Sequence, residues 1–209
     1  PDSVGYRIFE ALVANRFKGP VYPINPKATH IASVRAYPTV GDVGDEIDLA
    51  VLAVPAETIP EVVDQCAEIG TRGVVVISAG FAEIGDEGAE RQRRLTEQIR
   101  SHGMRMIGPN CLGLIHTHPE ILLNASFAPT MPPRGRVALC SQSGALGVAI
   151  IALTRRLGLG LSSFVSVGNK ADVSSNDLLE YWEEDPDTDV VLLYLESFGN
   201  PRRFARIAR

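Results

Sequence analysis

The sequence predicts an α/β protein built from two parallel-sheet units. Three observations predict it. Short β-rich apolar runs alternate with amphipathic stretches along the whole chain. The runs at residues 48–54 and 74–78 are apolar on both faces, as strands covered by helices on two sides require. The segment Pro129-Thr130-Met131-Pro132-Pro133-Arg134-Gly135 can continue neither a helix nor a central strand, and the alternation restarts after it. The units are therefore expected over residues 1–130 and 134–209.

The elements follow in order. Residues 5–17 read as a helix with Ile8, Leu12 and Val13 on one face, and residues 21–24 as a short strand. After the strand at 48–54, Thr58 and Glu61 have the spacing of a capping box. Ile59, Val62, Val63 and Cys66 then trace a helical stripe. A strand at 74–78, a charged surface helix at 86–102 with Leu95 and Ile99 inward, and a strand at 104–107 complete a β-α-β-α-β pattern. The second unit reads as strand 136–140, helix 144–157, strand 162–167, helix 175–184, strand 190–196 and a helix starting at Pro201. Both units look clipped: the first opens without a leading strand, the second has three strands, and no GxGxxG is present.

Composition narrows the class. The chain has 209 residues, 45% apolar and 22% charged, enough for a real core. Its net charge of −5 argues against bulk binding to nucleic acid or anionic lipid. The longest apolar run covers residues 145–153, far short of the roughly 20 residues of a membrane span. Three cysteines without CxxC spacing fit a reducing, cytoplasmic setting. His116 and His118 share a strand face but have no evident third ligand, so no metal is expected.

Ligands of open parallel sheets sit beyond the carboxyl ends of the strands, so the turns there are the candidates. They are Asn25-Pro26-Lys27, Pro55-Ala56, Ser78-Ala79-Gly80-Phe81 and Gly108-Pro109-Asn110-Cys111-Leu112-Gly113. Ordinary βα turns use the same residue types, so each turn alone reads either way. Ser141-Gln142-Ser143-Gly144 leads into a helix; its amides and hydroxyls suit an anion, and equally a plain N-cap. Gly168-Asn169-Lys170-Ala171-Asp172 and Glu196-Ser197-Phe198-Gly199-Asn200 follow the next two strands. Glu196 reads as a functional carboxylate or a solvated one. Cys111 reads as a ligand contact or a small buried residue.

Taken together these segments resemble the NDP-forming acyl-CoA synthetases, the succinyl-CoA synthetase α-subunit superfamily that includes ADP-forming acetyl-CoA synthetases. Gly108-Pro109-Asn110-Cys111-Leu112-Gly113 followed by Ser141-Gln142-Ser143-Gly144-Ala145-Leu146 is the specific part. The resemblance implies a Rossmann-like CoA-binding domain over residues 1–130 and a flavodoxin-like ligase domain over residues 134–209. By that likeness Lys27 would meet CoA phosphate or ribose. Val54, Pro55 and Ala56 would line the nucleotide side, and Ser78, Gly80 and Phe81 the pantetheine arm. Asn110 and Cys111 would lie near the thiol. Ser141, Ser143 and Gly144 would receive a phosphoryl group, and Glu196 would orient the family's phosphorylated histidine.

The implied chemistry is a phosphoryl relay from acyl-CoA and phosphate, through acyl phosphate and phosphohistidine, to a nucleoside diphosphate. The relay histidine, the leading Gly-rich turn and the ATP-grasp domain or subunit that would use ATP or ADP with Mg are expected outside this sequence. An oligomer is implied as well. Two other readings share the fold: a CoA or acetyl-CoA sensor fused to a GNAT-type lysine acetyltransferase, and an NAD-binding redox-sensing domain.

Overall fold

The computed structural model describes residues 3–208. α1 (Val4–Ala14) is followed by a small hairpin of β1 (His30–Ile31) and β2 (Val34–Arg35). β3 (Leu49–Leu52), α2 (Ile59–Glu68), β4 (Gly73–Val76), α3 (Asp86–Ser101) and β5 (Arg105–Ile107) then alternate. Their strands form a parallel sheet in the order β3-β4-β5. Ile59, Val63 and Cys66 of α2 and Leu95 and Ile99 of α3 bury against Val74, Val76 and Met106 on one face. Ile8 and Leu12 of α1 close the other face over Val75 and Ile77.

β6 (Gly113–His116) and β7 (Leu123–Ser126) form an antiparallel hairpin. β8 (Arg134–Ser141), α4 (Gly144–Arg156), β9 (Leu161–Ser166), α5 (Ser175–Glu183), β10 (Val190–Tyr194) and α6 (Pro201–Ile207) complete the described chain. The second sheet has the order β10-β8-β9-β6-β7. β10, β8 and β9 are parallel, and the hairpin adds to β9 antiparallel through β6. α4 covers one face through Ile151 against Leu139, Leu161 and Phe164. α5 covers the other through Leu178 and Trp182 against Ala138, Cys140 and Val165. The architecture is the expected α/β one, two sheets wound with helices.

Four local expectations are corrected. Residues 21–24 make only an isolated bridge, Ile24 to Tyr37, because Pro20, Pro23 and Pro26 remove the N–H groups a ladder needs. The second sheet has five strands, not three, because the hairpin joins it. Thr58 is not a capping-box residue: a 3₁₀ turn (Ala56–Thr58) winds straight into α2, and the Thr58 hydroxyl donates to the Pro55 carbonyl at 2.9 Å. Reciprocal boxes occur at Thr39/Asp42 and Ser174/Asp177 instead. On α1, Phe9 is buried while Val13 is exposed, so the inward stripe is Ile8, Phe9 and Leu12.

Candidate functional site

The turns beyond the carboxyl ends of β3, β4 and β5 interlock. The Ser78 hydroxyl donates to the Val54 carbonyl at 2.5 Å, joining the turn after β4 to the turn after β3. The Asn110 amide donates to the Ser78 carbonyl at 3.0 Å, joining the turn after β5 to both. Pro55 and Asn110 are exposed, and Val54, Ser78 and Gly80 partly so. Ala56, Phe81 and Cys111 are buried beneath them, and Phe81 belongs to the core under the sheet. These predicted residues therefore form one rim with its own packed floor.

Cys111 is held by its thiol donating to the Val76 carbonyl at 3.3 Å, and burial pushes that thiol up to about 12. Glu83, which sequence reasoning missed, braces the same rim. Its carboxylate accepts from the amides of Gly80 at 2.5 Å and Phe81 at 3.0 Å, and from Asn169 Nδ2 at 2.5 Å. Burial works against its charge, yet the hydrogen bonds from Asn169, Phe81 and Gly80 hold the carboxyl below the usual range. Lys27 lies on an exposed turn after Ile24, where Asn25 Oδ1 accepts from the amides of Lys27 at 2.8 Å and Ala28 at 3.2 Å. No described side chain or carbonyl accepts from its ammonium.

The second set of turns lies beyond β8, β9 and β10. Ser141 is fully buried and its hydroxyl donates to the Ser143 carbonyl at 2.7 Å. Ser143 is the N-cap of α4, its hydroxyl accepting from the Leu146 amide at 3.3 Å. The N-cap and anion readings thus coexist. Ser143 caps one amide, while those of Ser143, Gly144 and Ala145 find no acceptor among the described residues. Glu196 is exposed at the rim; its backbone amide donates to Gln142 Oε1 at 2.8 Å.

The two rims are joined by the turn after β9. The amides of Asn169 and Ala171 donate to the Pro109 and Gly108 carbonyls at 2.9 and 3.1 Å. The approach is so close that a Cβ on Gly168, whose φ is +51°, would sit 2.3 Å from the Pro109 carbonyl oxygen. Asp172 fixes the join. Its buried carboxylate accepts from Arg100 Nε, Arg105 Nε and the Met106 amide at 2.9, 2.9 and 2.8 Å. Burial pushes its carboxyl up, but the bonds from Arg105, Met106 and Arg100 outweigh that and hold it below the ordinary carboxylate range.

Sequence reasoning quoted Lys170 and Asp172 only as parts of a turn, and no pattern marked Gln142, Asn169 or Glu83 within their turns. Their one available signal was long or charged side chains in turns otherwise made of small residues. His116 and His118 stand at the opposite end of β6, with ring centroids 6.4 Å apart. Among the described residues no three His, Cys, Asp or Glu side chains gather as metal ligands. No helix among the described residues is long and apolar enough to cross a membrane.

Comparison with known proteins finds two matching families along the chain. Residues 1–117 match the CoA binding domain family, and residues 134–209 match the family described as succinyl-CoA ligase like flavodoxin domain. The chain is 45% identical over 206 residues to acetate–CoA ligase (ADP-forming) of Methanocaldococcus jannaschii, covering 99% of this chain and 28% of that protein. It is 41% identical to the alpha subunit of acetate–CoA ligase (ADP-forming) I of Pyrococcus furiosus, covering 100% of this chain and 46% of the relative. A dinucleotide forming acetyl-coenzyme A synthetase of Ca. Korarchaeum cryptofilum, solved with phosphate and ADP, superposes with a TM-score of 0.94. It is 42% identical, and all of this chain covers 44% of that one.

The chain thus spans less than half the length of these relatives. All three are CoA ligases or synthetases, which disfavours the acetyltransferase and redox-sensor readings. With its CoA binding domain followed by a succinyl-CoA ligase like flavodoxin domain, the chain belongs to the NDP-forming acyl-CoA synthetase superfamily.

Proposed function

We propose that this chain is the CoA-binding and ligase segment of an NDP-forming acyl-CoA synthetase of acetyl type. The whole enzyme interconverts acyl-CoA, nucleoside diphosphate and phosphate with acid, CoA and nucleoside triphosphate. One observation carries the reading: a small-residue rim and a helix start with open amides are locked together through the turn after β9. A thioester and a phosphate need that adjacency to react.

The rim fits CoA in its chemistry. Lys27 supplies an exposed cation for a phosphate of the nucleotide end. Val54, Pro55 and Ala56 on one turn, and Ser78 and Gly80 on the next with Phe81 buried beneath, offer small and apolar surface for the arm, with the Arg91 guanidinium donating to the Gly80 carbonyl beside it. Asn110 offers a side-chain amide beside Cys111, where the arm's thiol end lies. CoA, when bound, supplies the thiol that carries or releases the acyl group.

The open amides of Ser143, Gly144 and Ala145, with the positive end of α4, favour a dianion at the turn. Fixed dipoles of this kind stabilise a phosphoryl group in transfer without reorganising. Exposed at the same rim, Glu196 is the carboxylate that in this reading orients a phosphate-accepting histidine. The histidine and an ATP-grasp domain or subunit binding ADP or ATP with Mg belong to the remainder of the enzyme.

Isothermal titration of the chain with CoA, acetyl-CoA and NAD tests the reading. Heat of binding with CoA and acetyl-CoA and none with NAD is the expected result. Binding of NAD alone would overturn it.

A further inference from the structure

Three turns of the second unit meet at Gln142. Its Oε1 accepts from the amides of Glu196 at 2.8 Å and Ser197 at 3.0 Å, and from Lys170 Nζ at 3.4 Å. The same ammonium donates to the Ser197 carbonyl at 2.5 Å and to its hydroxyl at 2.9 Å. All these acceptors are neutral, and among the described residues Lys170 makes no ion pair. Its positive charge is therefore not cancelled by a bonded carboxylate.

The backbone of Lys170 is unusual too. It sits at φ +57°, a region lysine rarely occupies. Both neighbours pin it there through bonds to the Pro109 and Gly108 carbonyls, and its own amide donates to the Val167 carbonyl at 2.8 Å. Glycine or asparagine would take this conformation with less strain, so the side chain is the reason for a lysine. Burial holds its ammonium below the ordinary lysine value, while the Cys140 and Glu196 sides pull the other way.

We infer that Lys170 is a positioning residue that couples the two rims. Its backbone is seated on the Gly108–Pro109 turn of the CoA-binding unit. Its ammonium clasps the loop bearing Glu196 onto Gln142, inside the turn that receives the anion. This rests on the reading of that turn given above. The clasp fixes where Glu196 stands relative to the open amides, and adds a cation beside those neutral dipoles and the Glu196 carboxylate.

The test uses this chain with inorganic phosphate and with CoA as separate probes. Phosphate is titrated by amide NMR at Ser143, Gly144 and Ala145, and CoA by calorimetry. K170M is expected to weaken phosphate binding by about tenfold and to leave CoA binding within about twofold. K170R, which keeps charge and donors, restores most of the phosphate affinity. Phosphate also raises the pKa of Lys170 in the wild type, read from its side-chain carbon shifts. A lysine that merely props up the fold would not respond. Should K170M melt more than about 10 °C lower, this wild-type titration decides alone.

Equal phosphate affinity in the wild type and K170M overturns the inference and leaves the CoA reading intact. A wild type that binds CoA but no phosphate overturns it as well. Lysine-dependent phosphate binding without CoA binding supports the inference and sinks the CoA reading.

Discussion

Asp172 shows how one side chain can hold two rims together. Its carboxylate is 1% exposed, while Arg100 and Arg105 each keep one side of the guanidinium in water. Removing the anion would leave the Met106 amide buried without its acceptor. D172A is therefore expected to cost about 3–5 kcal/mol in urea denaturation. The pH dependence follows from the lowered native pKa. The unfolded carboxyl titrates near about 3.9, so the stabilisation is complete above that pH and fades as pH falls through the lower native value. D172N is accordingly expected to lose stability less steeply than the wild type below about pH 4 in acid melts. None of this was legible in the sequence. Asp172 stands 72 and 67 positions from its two arginine partners, and no local pattern joins such distant residues. Ser143 was legible as an N-cap because capping chemistry is local.

At the level of elements, packing decides which patterns are readable. α2 and α3 declare themselves by their stripes, and β3, β4 and β8 by apolar runs with helices on both sides. The hairpin β6–β7 does not. β6 alternates over only four residues, and β7 is buried at Asn124, Ala125 and Ser126 in succession, so no clean alternation marks the pair as a whole. Its connection also lacks a two-residue turn signal. Residues 21–24 fail in the opposite way: Val21 packs with Ile8 and Leu12 of α1, Ile24 is exposed, and no ladder forms. The fit of α4 on its sheet is tight at Gly147, where a Cβ would approach Phe164 Cζ to 2.8 Å. Phe164 is fully buried and has no room to yield. G147V is expected to cost about 1–3 kcal/mol by chemical denaturation through displaced packing, the gain in helix propensity over glycine offsetting only part of it. A145V, at an exposed position of the same helix, is expected to cost well under half as much.

Across the whole molecule, the hairpin is what prevents the two units from being independent. β6 and β7 pair into the second sheet, while α1 of the first unit packs against β7 through Ile8, Leu12 and Ala125. The turn after β5 and the turn after β9 add hydrogen bonds on the other side. The described chain is therefore expected to unfold in one transition. Trp182, the single tryptophan, reports on the second unit, where its indole N–H donates to Ser163 at 2.8 Å. Its fluorescence and the far-UV circular dichroism should give the same midpoint in urea. CoA, held on the first unit, should then raise the melting temperature seen by Trp182. Two separate midpoints, or a CoA effect confined to circular dichroism, would show that the units unfold separately.

The three cysteines are all buried, with their thiols pushed up to about 11 at Cys66 and about 12 at Cys111 and Cys140. At neutral pH the Cys111 thiol therefore stays protonated. A protein whose partner molecule ends in a free thiol is exposed to mixed disulfides whenever its own sulfur is both ionised and reachable. Cys111 is neither, although it lies next to the rim. Its proton is engaged by a strand carbonyl and its access is closed by the fold. Cys111 is thereby expected to stay unmodified when the folded protein is incubated with oxidised CoA or peroxide, as intact-mass spectrometry would show.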